Sequence, residues 1–164
     1  MLRRTTRVAA TLAALSLGAC GGSNTTTSPT ASPSPTTPPV VTIVTNPPAP
    51  ITASTDPAFQ WATSFSLTLT ESAGVAVNIR SVSANLQQAS GGIVVTPPAG
   101  LAEAFRYEVK SSSSRLAANG TITIGFTFLY TLPQPGQEAL VTVTLNLYDD
   151  SGNAYPQTVR VNVV

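Results

Sequence analysis

The side chains that most often carry chemistry are scarce in this 164-residue chain: histidine is absent and cysteine occurs once, at position 20. Without histidine there is neither a Ser-His-Asp arrangement nor a histidine-ligated zinc site. Lys110 precedes Ser111, Ser112, Ser113 and Ser114, and a serine activated by a lysine needs no histidine. A serine run is also what a solvated loop contains, and that is the reading taken. Glycoside hydrolysis would need two carboxylates about 5–9.5 Å apart. The acids near the fold are Glu71, Glu103, Glu108, Glu138, Asp149 and Asp150. Most fall in expected turns or on polar faces, so no catalytic pair is assigned. Asp149-Asp150-Ser151-Gly152-Asn153 is oxygen-rich enough to suggest calcium. It lacks the EF-hand spacing and its distal Glu, and Asp, Gly and Asn are what a hairpin turn requires, so a plain turn is expected. Trp61, Tyr107, Tyr130 and Tyr148 would form a sugar platform if they shared an exposed face. Trp61 and Tyr130 fall in inward rows instead, and Tyr148 is the ring expected outside. No catalytic residue, metal site or cofactor is assigned.

The one thiol has a telling position. Cys20 closes the run Leu17-Gly18-Ala19-Cys20 behind a short apolar stretch. Arg3, Arg4 and Arg7 make a positive start with no acid beside them, and Val8 to Leu17 is apolar except for Thr11 and Ser16. Small residues follow, which completes the order of a secretory signal. Its ten residues make a helix of about 15 Å, against a hydrocarbon core roughly 30 Å thick. That is too short for a lasting span, and no later stretch is long and apolar enough. The run Leu17-Gly18-Ala19-Cys20 resembles the lipobox of bacterial lipoproteins. The resemblance implies that the Cys20 thiol is joined to a diacylglycerol. It also implies a cut between Ala19 and Cys20 and acylation of the new amino terminus. Acylation would remove the chain's only thiol from catalysis. Arg3-Arg4 hints at a twin-arginine signal, but Thr5-Thr6-Arg7 lacks that pattern's apolar pair, so the general secretory route is expected. One acyl chain holds a protein marginally, and two or more anchor it stably. The family carries three, so a bacterial cell-envelope location on the membrane is expected. In this family an Asp after the cysteine often signals inner-membrane retention. Gly21 stands there, which favours the outer membrane.

Without residues 1–19, five basic residues (Arg80, Arg106, Lys110, Arg115, Arg160) face seven acidic ones, a net charge of 5 − 7 = −2. No basic patch remains for nucleic acid. Residues 21–55 carry no charge and are dominated by Ser, Thr and Pro. Such a composition cannot offset its ordering entropy, so residues 20–55 are read as an acylated cysteine and a disordered linker. At about 3.1 Å per residue, some thirty extended residues reach roughly 90 Å, enough to hold a domain away from the lipid. Val40-Val41-Thr42-Ile43-Val44 interrupts the linker and reads as a first edge strand.

From Asp56 onward the hydropathy alternates with period two. Phe59, Trp61, Phe65, Leu67 and Leu69 share one parity, and Ser64, Ser66, Thr68 and Thr70 the other. That is one apolar and one hydroxyl face of a strand. Glu71-Ser72-Ala73-Gly74 reads as a turn. Val75, Val77 and Ile79 form an inward row, and the parity then shifts to Val82, Ala84 and Leu86. The shift predicts a β-bulge near Arg80-Ser81 or a strand switching sheets. Gly91-Gly92 and Pro97-Pro98 bracket Ile93-Val94-Val95. Phe105, Tyr107 and Val109 give another strand, Lys110 to Ala118 a serine-rich loop, and Asn119-Gly120 a turn. Ile122, Ile124, Phe126, Phe128 and Tyr130 then face Val141, Val143, Leu145 and Leu147 across Pro133-Gln134-Pro135-Gly136, and Val159, Val161 and Val163 finish the pattern.

No convincing 3.6-residue period appears. About seven short strands over residues 56–164 point to an all-β fold, a single antiparallel β-sandwich. In strand count and length it is similar to the immunoglobulin-like and fibronectin type III-like sandwiches, without the Cys…Trp…Cys spacing or a tyrosine corner. The expected function is a non-catalytic membrane-tethered module that presents its sandwich to an envelope protein or plays a structural role. The alternative is a carbohydrate- or cell-wall-binding module.

Overall fold

Period-two alternation becomes ten strands among the described residues, which in this computed structural model are 37–95 and 100–164. The signal 1–19, the lipobox with Cys20, the linker as far as residue 36 and the pair Pro97-Pro98 lie outside the described residues. In chain order the strands are β1 (Val41–Asn46), β2 (Ser54–Asp56), β3 (Gln60–Glu71), β4 (Val77–Ser90), β5 (Ile93–Val94), β6 (Ala104–Ser111), β7 (Arg115–Leu116), β8 (Thr121–Thr131), β9 (Ala139–Asp149) and β10 (Ala154–Val163). One sheet runs β1-β3-β8-β6, with β2 also paired to β3. The other runs β10-β9-β4-β5, with β7 also paired to β4. Every strand pairing is antiparallel. Taking β1, β3, β4, β6, β8, β9 and β10 as A to G, the sheets read A-B-E-D and G-F-C, the immunoglobulin-like order. The all-β sandwich and its seven principal strands therefore match the sequence reading.

The folded unit starts before residue 56, the boundary that composition set. β1 pairs along β3 from Val41↔Glu71 to Asn46↔Ser66. Ile51 and Ala53 are buried. Their N–H groups donate to the carbonyls of Asn162 and Val164 at 2.9 and 2.8 Å, and Val164 N–H returns a bond to Ile51. The chain thus leaves the first sheet after β1, touches the edge of the second beside β10, and returns as β2. Proline and hydroxyl content hid this, because a short crossing needs only two buried apolar side chains. The Val40 to Val44 segment is an edge strand as read, and residues 41–55 are fold rather than linker. A second correction concerns Lys110 to Ala118. It is not wholly loop, since β7 pairs with β4 there and Leu116 is fully buried.

The core lies between the sheets. Phe65, Leu67 and Leu69 of β3 and Ile124, Phe126, Phe128 and Tyr130 of β8 meet Val141, Val143, Leu145 and Leu147 of β9. Phe128 is central on the first sheet, with ring centroids 5.3 Å from Phe65 and 5.9 Å from Phe105, Tyr107 and Phe126. The β4–β9 register shifts between Ile79 and Ser81, which is the bulge the parity change predicts. The outer face of the first sheet is a hydroxyl ladder: Ser64 with Thr127, Thr68 with Thr123 and Thr70 with Thr121, at 3.2, 3.5 and 3.2 Å.

Among the described residues one buried polar side chain is left without a partner. Thr63 is buried, and its Oγ1 has no hydrogen-bond partner. A buried hydroxyl without a partner costs about 1–3 kcal/mol. Valine has nearly the same shape without that group. Thr63→Val is therefore expected to stabilise the domain by about 1 kcal/mol, or roughly 3–6 °C in Tm. Thermal melts of the two proteins check this, and an unchanged or lower Tm would show the hydroxyl is satisfied in solution.

Candidate functional site

Glu71 is the most heavily bonded acid among the described residues. The β3 parity that points Trp61 to Leu69 inward also points Glu71 inward, and it is 1% exposed. Its carboxylate accepts five backbone N–H bonds. Val40 and Ala73 donate to Oε1 at 3.3 and 2.7 Å, and Gly74, Val75 and Asn119 to Oε2 at 3.0, 3.1 and 2.9 Å. One side chain thus ties the start of β1, the β3–β4 turn and the β7–β8 turn. Two positions with left-handed φ shape the clasp, Gly74 at +76° and Asn119 at +53°. A Cβ on Gly120 would come within 2.9 Å of the Ala117 carbonyl oxygen, so the second turn also needs its glycine. Burial alone would raise the Glu71 pKa, but the Asn119, Ala73, Val40 and Gly74 N–H bonds outweigh it and hold the group below its ordinary range. Sequence pattern puts Glu71 in a turn, whereas its strand parity is the signal that places it inside.

A carboxyl depressed in the folded state contributes stability above its unfolded pKa and loses it as pH falls through the folded one. Asp149 is also lowered, and Asp150 is brought down to about 2. Stability is therefore expected to be full above about pH 4.5, the ordinary value for Glu71, and to fall from there towards pH 2. Glu71→Gln is expected to lower Tm at pH 7 by roughly 5–10 °C and to flatten the acid decline. Circular-dichroism melts from pH 7 to 2 check both; an unaltered acid slope would contradict the assignment.

The other candidates separate. The Asp149 carboxylate faces donors: Ser151 and Asn153 N–H at 2.9 Å on Oδ1, and Asn153 Nδ2 and the Tyr155 hydroxyl at 2.8 and 3.1 Å on Oδ2. Asn153 Nδ2 is the chief cause of its lowered pKa. Those donors make it a turn-closing acceptor. Asp150 is held by Arg115 through a bidentate pair at 2.7 and 2.7 Å, with Asn78 alongside. No cluster of three Asp, Glu, Cys or His groups occurs among the described residues. Ser111 Oγ donates to the Ser113 carbonyl and Ser113 Oγ to the Arg115 carbonyl, so these hydroxyls shape their own loop. Tyr130 is core, its hydroxyl donating to the Gln137 carbonyl, and burial raises its pKa to about 12. Trp61 and Tyr107 pack on the core. Tyr148 faces outward beneath Arg80, whose guanidinium carbon lies 4.1 Å from the ring centroid, a cation–π distance. The four rings do not gather.

Besides the outer edges of β1, β6 and β10, which end the two sheets, the fold leaves part of one side of β4 open. The side of β4 away from β9 is occupied by β7 at Val77 and Asn78 and by β5 at Ala89 and Ser90. Ile79 N–H donates to the Ser114 carbonyl, and the Leu86 carbonyl accepts from Ala102 N–H. Between those bonds no strand pairs with this side among the described residues. Alternate residues of an antiparallel strand send their N–H and C=O to the same side. Leu86 and Gln88 bond towards this side, so Val82 and Ala84 direct their ladder groups there too. The bulge at Arg80 lets Ile79 and Val82 both face this way. Beside the gap lies a cleft of about 400 Å³. Ile79 and Val82 line it from β4, Val109 from β6, Ile124 from β8, and the Ser111 to Ser114 loop closes one end. Val109 is 38% exposed.

Arg80 is the cation that lines this opening. Arg115 stands nearby on β7, while Arg106 and Lys110 take the outward parity of β6, where Lys110 lies with Ser64, Ser66 and Thr127 on the outer face of the first sheet. Arg106 is 3.6 Å from Glu108 and Arg115 is 2.7 Å from Asp150. Arg80 and Lys110 have no carboxylate partner among the described residues. Sequence patterning found the strand and the bulge. It missed the gap, which depends on where β5 and β7 stop.

No family model matches the sequence, and no curated protein matches it. Among solved structures the chain is similar to the putative ApaA protein of Bordetella pertussis, at 11% identity and a TM-score of 0.46 over 78% of this chain and 95% of that one. It is similar to PapD-like domain 7 of human CEP192 at 14% identity and a TM-score of 0.44, over 79% and 89%. It is similar to the secreted serine protease VesC of Vibrio cholerae at 10% identity and a TM-score of 0.42; 62% of this chain is covered and only 19% of that one.

Proposed function

We propose that this chain is a lipid-anchored envelope protein whose β-sandwich binds another protein. The reading rests first on the run Leu17-Gly18-Ala19-Cys20 behind Arg3, Arg4, Arg7 and the apolar stretch Val8 to Leu17. Acyl chains on Cys20 would fix it to the membrane, the outer one in preference because Gly21 follows. The uncharged Ser/Thr/Pro segment would then hold the sandwich away from the lipid. The open side of β4 supports the binding part, because unpaired strand edges take up other chains by hydrogen bonding. The polar groups found at the catalytic candidates are committed to turns and loops, which supports a non-catalytic role. A carbohydrate-binding reading asks for gathered exposed rings, and the four candidate rings point to different places.

Mass spectrometry of the protein purified from its own membrane tests the anchor. The expected mass lacks residues 1–19 and carries three acyl chains. Crosslinking in intact cells tests the rest. A reproducible protein neighbour is expected, and recovery of lipid alone would overturn the binding role while leaving the anchor standing.

A further inference from the structure

Resting on that protein-binding reading, we propose that an extended, acidic segment of a partner protein adds as a strand to β4 across Val82 and Ala84. The backbone states what fits. Two N–H and two C=O groups, on Val82 and Ala84, face a gap bounded by the Ile79–Ser114 and Leu86–Ala102 bonds. Another backbone matches such a row at the spacing of a ladder, replacing the water that otherwise solvates it. β7 and β5 already pair antiparallel to β4 at the two ends of the gap, so the guest continues one broken strand. From Arg80 to Asn85 the gap is about 20 Å long at 3.4 Å per residue, which admits a segment of four to six residues.

The side chains narrow the choice further. Val82 and Ala84 face inward, so a guest strand opposite them directs alternate side chains into the cleft over Val109 and Ile124. Those positions call for aliphatic side chains. The intervening positions face outward, on the side where Arg80 stands over Tyr148. Arg80 lacks a carboxylate partner among the described residues. A cation beside the edge favours a segment that brings Asp or Glu, and a like charge opposite would disfavour a basic one. This chain's own residues 21–39 carry no acid and place prolines every few residues, so they do not fit.

The probe is the peptide Val-Asp-Val-Thr-Val-Asp, against a version with Lys at both Asp positions, added to the full mature chain in detergent. Amide exchange at Val82 and Ala84 is read by NMR. Free protein should exchange fast at both. The acidic peptide should slow both by at least about tenfold, and the basic one should bind about tenfold more weakly or worse. Val109→Arg fills the cleft from a partly exposed position and should abolish the slowing with Tm unchanged. Arg80→Glu, at an exposed position, should reverse the preference between peptides and does not depend on how Val109→Arg folds. Fast exchange that neither peptide alters overturns the proposal, as does slow exchange in the free protein or equal binding of the two peptides. Slowing that grows with protein concentration without peptide overturns it in favour of a second copy. If crosslinked neighbours in cells survive Val109→Arg, this edge falls and the protein-binding role stands.

Discussion

Phe128→Ala is expected to destabilise the domain by about 3–5 kcal/mol, the largest effect of any single core truncation. Phe128 is fully buried on β8 and lies against four rings, Phe65, Phe105, Tyr107 and Phe126. Alanine removes the ring and leaves a hole that stiff neighbouring strands fill only in part. A domain of this size has a total stability of about 5–15 kcal/mol, and this one has no disulfide in reserve, since its only cysteine is Cys20. Phe105→Ala should cost less, because Phe105 is only partly buried. Urea titrations at 25 °C give both numbers. A loss under about 1.5 kcal/mol for Phe128→Ala would mean the aromatic stack relaxes far more than the packing suggests.

Cys20→Ala is expected to remove every acyl group from the protein, an all-or-none change in mass and in membrane retention. Each buried CH₂ contributes about 0.8 kcal/mol, so losing all chains removes far more than any other substitution in this chain can. What would remain to touch the bilayer is Val8 to Leu17, about 15 Å of helix and too short to span it. The expected result is a protein with no acyl mass that carbonate washing strips from membranes, while the native protein stays. A native protein that is stripped as readily, or that retains residues 1–19, would remove the basis for the anchored reading.

Strand patterning made most of the fold legible. Parity in Trp61 to Leu69 and Ile122 to Tyr130 placed the inner faces, and the shift at Val82 placed the bulge. The start of the fold was not legible, because Ile51 and Ala53 are two apolar residues in a proline-rich run. Whether such residues are buried depends on β10, more than a hundred residues away. Glu71 was half legible: its parity pointed inward, but a charged residue beside Ser72-Ala73-Gly74 also suits a turn. Only the distant donors Val40 and Asn119 show that burial is tolerated. The β4 gap was invisible, because an edge is defined by where neighbouring strands end and not by the edge's own residues.

The Glu71 clasp has a mechanical consequence for an anchored protein. Were the chain anchored as proposed, a pull from the lipid would enter the sandwich at Val40, whose N–H is bonded to Glu71; β1 beyond it pairs only with β3 and packs Val41 and Ile43 on the core. Tension would strip this six-residue strand first, freeing a segment about 20 Å long at 3.4 Å per residue. The chain would then catch at Ile51 and Ala53, which are fastened to the opposite sheet. Load is thus taken in two stages, the second drawing on both sheets together, and acid that neutralises Glu71 would release the first stage early.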